Sequence, residues 1–228
     1  MTGLTSTIIP VLAVLVGAIV SVWRRPGEAV VAGVQHLAAG VVFAAAAAEI
    51  LPQVLHGGSP MATLVGGAAG VALMLSLKAI GARMSGPIAM LGAVGIDILV
   101  DGLVLGLAFV AGEKAGRLLT IALTLEVLFL GLTVTAALQG WVRSRIAIVG
   151  TTVLIGLLLP VGAAIATPVA ALPPVAITAF LSFGLMALLY LVTEELLVEA
   201  HEKPDTPLIS AMFFIGFLGL LLLEEGVF

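Results

Sequence analysis

The sequence predicts an all-α membrane protein of eight transmembrane helices, and three observations carry that prediction. Hydrophobic residues make up 61% of the 228 and charged residues 10%, whereas soluble domains carry about 25% charged residues. The mean hydropathy is +1.30. Apolar stretches of about 20 residues, the length an α-helix needs to cross the hydrocarbon core, recur along the chain with only short Pro/Gly and charge clusters between them. Little is left over for a soluble domain, so residues 1–228 form one membrane domain.

The spans follow in order from these separators. The first, 4–23, has no basic stretch ahead of it and no clear cleavage site before Trp23-Arg24-Arg25, so it is a span rather than a removable signal. "RRPGE" separates it from the second, 29–55, and "HGGSP" separates the second from the third, 60–81. "GARMSG" precedes the fourth, 86–112, and "GEKAGR" the fifth, 116–138. After "QGWVRSR" come the sixth, 145–166, then "TPVAALPP" and the seventh, 171–200. "HEKPDTP" introduces the eighth, 206–226. Pro10 and Pro160 fall within spans one and six, matching members of two possible three-helix repeats, where helix breaks can mark a transporter. "AAGVVFAAAAAE" (38–49) and "GGAAGVA" (66–72) supply small residues, which either pack helices tightly or form a smooth surface on which one bundle slides.

Lys and Arg set the orientation. One side carries Arg24, Arg25, Lys78, Arg83, Arg143, Arg145 and Lys203, the other only Lys114 and Arg117. The richer side is cytoplasmic by the positive-inside rule, and an even number of spans then puts both termini outside. The net charge of −4 argues against nucleic acid as a partner. The absence of cysteine excludes disulfides and thiolate ligands. No catalytic or cofactor-binding motif is read, so the chain is not expected to be an enzyme.

"DILVDGLVLG" then poses the functional question, because it places two aspartates inside an apolar span. At a rise of about 1.5 Å per residue, Asp97 and Asp101 lie near the middle of span four, and their four-residue spacing stacks them on one face. Glu126 lies near the middle of span five, and the short turn makes the two spans antiparallel neighbours. Three carboxylates therefore meet at midplane with no Lys or Arg at that depth. Each charged side chain there costs about 3 kcal/mol or more, so either a mobile cation neutralises them or some hold protons. Protonated acids acting as helix glue is the plainer alternative; a bound divalent cation is the favoured one.

Depth sorts the remaining groups less sharply. Glu49, near the outer end of span two, either guides a cation inward or is solvated. Glu194, Glu195, Glu199 and His201 mark the inner end of span seven, as charges for solubility or as groups that receive an ion. His36 reads as a packing histidine satisfied by its neighbours rather than a ligand. Glu224 and Glu225 read as solvated end charges, and Glu202 and Asp205 as loop residues.

The ordered set "AAGVVFAAAAAEILP", "DILVDG", "EVLFLG", "LVTEELLVEAHEK" and "FIGFLGLLLLEE" resembles the ZIP metal transporters over essentially the whole chain, nearest their GufA-like prokaryotic branch. The resemblance implies eight spans in a 3+2+3 arrangement with an inverted repeat. Spans one, four, five and six would be a transport bundle, moving elevator-fashion against two, three, seven and eight, a scaffold able to form a homodimer. "DILVDG" lies on the family's helix-four metal motif and "EVLFLG", aligned by Gly131, on that of helix five. Asp97, Asp101 and Glu126 then take ligand positions of the first site, while Ile98, Val127 and Leu130 stand where ligands of a second site belong. One site is expected, and span six offers only Thr151 and Thr152 as polar groups. An all-oxygen ligand set with no imidazole favours manganese, iron(II) or magnesium over the family's usual zinc.

The expected function is a carrier moving a divalent metal inward across a prokaryotic cytoplasmic membrane, with the metal as substrate and no cofactor. Glu49 would attract the ion, and the span-seven acids with His201 would receive it, His36 being a weaker member of that pathway. Two other readings stand beside it: a degenerate relative moving protons or another solute, and a non-transporting membrane partner.

Overall fold

The computed structural model describes residues 3–24, 26–81, 83, 86–202 and 206–227. Arg25, Lys203 and Asp205, which entered the orientation and end-charge expectations, lie outside these residues. The described residues are helical throughout, with short connections and no strand. Eight helices are long and apolar enough to cross a membrane: α1 (Gly3–Trp23), α2 (Glu28–His56), α3 (Pro60–Gly81), α4 (Pro87–Ala111), α5 (Glu113–Leu138), α6 (Arg145–Ala171), α7 (Pro174–His201) and α8 (Pro207–Gly226). The chain is a multi-pass membrane protein.

Three boundaries differ from expectation, each for a local reason. Helix α5 starts at Glu113 rather than 116, because Gly112 breaks the chain and an acid then opens the helix, where the helix dipole favours it. Arg117 pairs back to Glu113 one turn on, at 2.6 Å. Helix α6 runs on to Ala171 through a 3₁₀ turn that accepts Pro168 in its first positions, where a proline loses no hydrogen bond. Helix α7 starts at Pro174 for the same reason.

Inside α1 and α6 the helix is interrupted at Thr7 and at Leu157, in both cases three residues before the proline whose ring displaces the preceding turn. Helices α2 and α7 carry a different feature, one widened π-helical turn each, at Ala46–Ile50 and Leu191–Leu196. In α2 the turn immediately precedes Pro52, which has no N–H for the carbonyl four residues back; the Leu51 N–H reaches instead to the Ala46 carbonyl. In α7 the Thr193 hydroxyl donates to the Leu189 carbonyl at 2.8 Å and competes with the backbone ladder. Both widened turns contain acids, Glu49 in one and Glu194 with Glu195 in the other.

The helices pack in matched pairs: α1 on α5 and α6 on α4, α2 on α8 and α7 on α3, α2 on α5 and α7 on α4. Glycines set the closest of these. A Cβ at Gly17 or Gly131 would collide with a backbone carbonyl across the α1–α5 contact, at Leu128 or Val14. Gly102 and Gly162 face the Leu159 and Leu99 carbonyls between α4 and α6, Gly40 and Gly216 those of Phe213 and Leu37 between α2 and α8. Gly66 meets the Ala179 carbonyl between α3 and α7. The small residues of "GGAAGVA" thus sit in a tight contact of α3 with α7. Small residues let helices meet backbone to backbone where lipid offers no hydrophobic drive. Every one of these clamps joins helices within the group α1, α4, α5, α6 or within the group α2, α3, α7, α8. Between the groups, Gly184 of α7 meets only side-chain atoms of α4, the nearest on Val104.

Candidate metal centre

Asp97 and Asp101 come from the middle of α4 and Glu126 from the middle of α5, about 15–20 Å along the axis from either helix end at about 1.5 Å per residue. One carboxylate oxygen from each lies within 4.8 Å of the others. Asp101 is 2% exposed and Glu126 fully buried, while Asp97 is partly exposed to a cavity. Neither Glu126 oxygen has a hydrogen-bond partner, nor does Asp101 Oδ2. No salt bridge reaches any of the three among the described residues. A buried polar atom without a partner costs about 1–3 kcal/mol, more when charged, and these orphans belong to two of the three clustered acids. What the arrangement offers is a small cage of carboxylate oxygens, the donor type that suits hard divalent cations.

"DILVDG" and "EVLFLG" each end on a glycine at a close helix contact. The closing glycine of each, Gly102 or Gly131, is the residue that clamps its helix to α6 or to α1. Ile98 and Val127 are buried, 2% and 0% exposed, and Leu130 lines the cavity. None of these side chains can coordinate an ion. Thr152 is buried but occupied elsewhere, its hydroxyl 3.0 Å from that of Thr135.

A cavity of about 370 Å³ leads to the cage, with Asp97 and Glu126 in its wall. Glu195, Glu199 and Lys78 line it as well, with Gly81 and Ala89 at the end of α3 and the start of α4. It therefore opens at the end where α3, α5 and α7 finish, the end richer in Lys and Arg. Towards the opposite end the same two helices are dry: Val104, Leu105, Ala108, Leu118, Leu119, Ala122 and Leu123 are at most 1% exposed. The cage is reached from one side and sealed from the other.

Several outer groups differ from their sequence reading. Glu49 is neither solvated nor free; it is 8% exposed and 3.7 Å from the Lys114 ammonium. Glu224, expected as a solvated end charge, is 3.0 Å from the same ammonium. Lys114 thus ties α5 to α2 and α8 at the sealed end, because the Gly112 turn carries it over both acids. At the open end Glu194 points outward and pairs with Lys78 at 2.9 Å, whereas Glu195 and Glu199 line the cavity, Glu199 accepting from Gln35 at 2.8 Å. His36 is not the satisfied packing histidine of the sequence reading. It is 2% exposed, its Nδ1 donates to the Ala32 carbonyl at 2.9 Å, and its Nε2 has no partner. His201 stands beside it, ring centroids 5.1 Å apart.

No protein-family model matches the chain, and no curated protein matches it.

Proposed function

We propose that this chain is a ZIP-like carrier that moves a divalent cation through one midplane site made by Asp97, Asp101 and Glu126. One observation carries the reading: three carboxylates that come together at the end of a one-sided cavity, two of them buried with unpartnered oxygens. Three charges exceed 2+ by one, so the loaded cage has room for one proton, which allows proton coupling.

The positive-inside rule makes the open end cytoplasmic and puts both termini outside; the conformation is then inward-open. The matched neighbours, with α1 on α5 answering α6 on α4 and α2 on α8 answering α7 on α3, support the 3+2+3 inverted repeat. The distribution of glycine clamps supports two rigid groups meeting through side chains, as an elevator of α1, α4, α5 and α6 against α2, α3, α7 and α8 needs. Release runs past Glu195 and Glu199. The outer side stays shut while Lys114 bridges Glu49 and Glu224, so this ion pair must part before the cage can face outward.

The test is uptake by proteoliposomes across a panel of manganese, iron(II), magnesium and zinc, with elemental analysis of protein purified without added metal. Accumulation of a hard divalent ion, lost in Asp101→Asn, supports the carrier. Proton flux with no metal accumulation supports the degenerate relative, and neither flux supports the non-transporting partner.

A further inference from the structure

The cavity that reaches the cage is larger and more apolar than a bare ion needs. Its wall is mostly aliphatic, with Met74, Leu77, Leu130 and Leu191 among its residues, and none of the described residues lining it carries a hydroxyl or amide side chain. A hard dication parts with its waters reluctantly, and those waters find little to hydrogen-bond along such a wall. The volume of about 370 Å³ falls within the range of about 300–1,000 Å³ of small-molecule sites, which are mostly apolar with a few placed polar groups. Asp97 and Ala89 both line it, eight residues apart on α4, so it runs about 12 Å along that helix at about 1.5 Å per residue.

The charged groups that face this space are Asp97, Glu126, Glu195, Glu199 and Lys78, four acids against one base. The Lys78 ammonium is already held by Glu194 at 2.9 Å. Glu126, at the deep end, is fully buried with no partner on either oxygen. The side of the cavity is loosely closed. Gly81 of α3 and Gly92 of α4 line it, and a Cβ at either would meet nothing within 4 Å. Ile80 and Ile96, from the same two helices, line it and remain 54% and 38% exposed.

We propose that this cavity binds a primary ammonium carried on a single apolar tail, with the ammonium on Asp97 and Glu126 and the tail along the aliphatic wall. The three N–H donors of an ammonium answer the unpartnered carboxylate oxygens, and the tail covers the wall that hydrated ions cannot satisfy. The ligand enters from the leaflet at the open end, between α3 and α4, where the apolar exposure meets acyl chains. Ammonium and divalent ion use the same carboxylates and exclude each other. The inference goes beyond the carrier reading, because the amine binds whether or not a metal is carried. The ammonium comes either from a free alkylamine or from an ethanolamine phospholipid.

The test measures radiolabelled hexylamine binding to full-length protein in phosphatidylcholine nanodiscs, corrected for empty discs, with Mn²⁺ binding measured on the same preparation. Wild type should bind hexylamine but not hexanol, and each CH₂ added between butylamine and hexylamine should raise affinity about fourfold. Excess Mn²⁺ should displace the amine, and Glu126→Gln should weaken it about tenfold or more. Gly92→Phe, which puts a ring into the cavity, should weaken the amine about tenfold or more and leave Mn²⁺ binding in place. Should Gly92→Phe fail to fold, the hexanol comparison and Glu126→Gln still decide. Discs containing phosphatidylethanolamine that suppress hexylamine binding identify the lipid as the source; undiminished binding identifies the free amine. Equal binding of hexanol and hexylamine, or unchanged affinity in Glu126→Gln, overturns the inference. Mn²⁺ binding without amine binding overturns it alone, whereas amine binding without Mn²⁺ binding upholds it and counts against the carrier.

Discussion

Asp101→Asn keeps the shape of the side chain and removes one of the three charges that face a cation. Asp101 is 2% exposed, with one carboxylate oxygen unpartnered. Removing one member of a buried ion pair costs about 3–5 kcal/mol, which is about two to three and a half powers of ten in affinity. The same change relieves the apo protein of a buried acid, so its unfolding temperature in chelator should stay level or rise. A ligand at a hundred times its Kd stabilises by about 2.7 kcal/mol; a hundredfold weaker site under the same conditions gives about 0.4 kcal/mol. At about 2–4 °C per kcal/mol for a chain of this size, a manganese-induced shift of about 5–11 °C in wild type should shrink to about 1–2 °C. Thermal unfolding of both proteins in detergent, in chelator and in excess manganese, measures all four values. Equal metal-induced shifts in wild type and variant would refute Asp101 as a ligand. A loss of stability in chelator alone would make it the helix-stabilising hydrogen-bond donor instead.

Other expectations follow from the same geometry. Cysteines placed singly at Ser59 and Ser144, in a chain that has none of its own, should label from outside and only after permeabilisation, respectively; the opposite pattern inverts the topology. Lys114→Met removes the cation between Glu49 and Glu224 and should raise outside labelling of a cysteine at Val104; labelling unchanged from the Lys114 parent would remove the ion pair from the closure. Gly102→Ala forces a Cβ onto the Leu159 carbonyl and should cost about 1–3 kcal/mol as overpacking does, read as a lower unfolding temperature, with Gly92→Ala, open to space, as the near-neutral control.

What the sequence made legible is position along the membrane normal. Pro/Gly and charge clusters end each helix, so span count and depth follow, and depth alone brought Asp97, Asp101 and Glu126 to one level. The four-residue spacing and the short Gly112 turn added the shared face and the antiparallel partner, which is why the cage itself could be anticipated. Rotation about each helix axis and lateral neighbours are not written in apolar composition, because lipid and core side chains are alike. That is why Lys114 between Glu49 and Glu224, and His36 against His201, emerged only from the structure. The widened turns of α2 and α7 were hidden for another reason: each arises from competition for backbone carbonyls, by Pro52 and by Thr193, that leaves the apolar pattern almost unchanged.

The central claim, one divalent cation held by three carboxylates at midplane, is tested most directly by anomalous scattering from crystals soaked in manganese. The account predicts a single peak at about 2.0–2.4 Å from oxygens of Asp97, Asp101 and Glu126, with none against Ile98, Val127 or Leu130. An empty cage at saturating manganese, or a second strong peak beside the first held by α6, would contradict it.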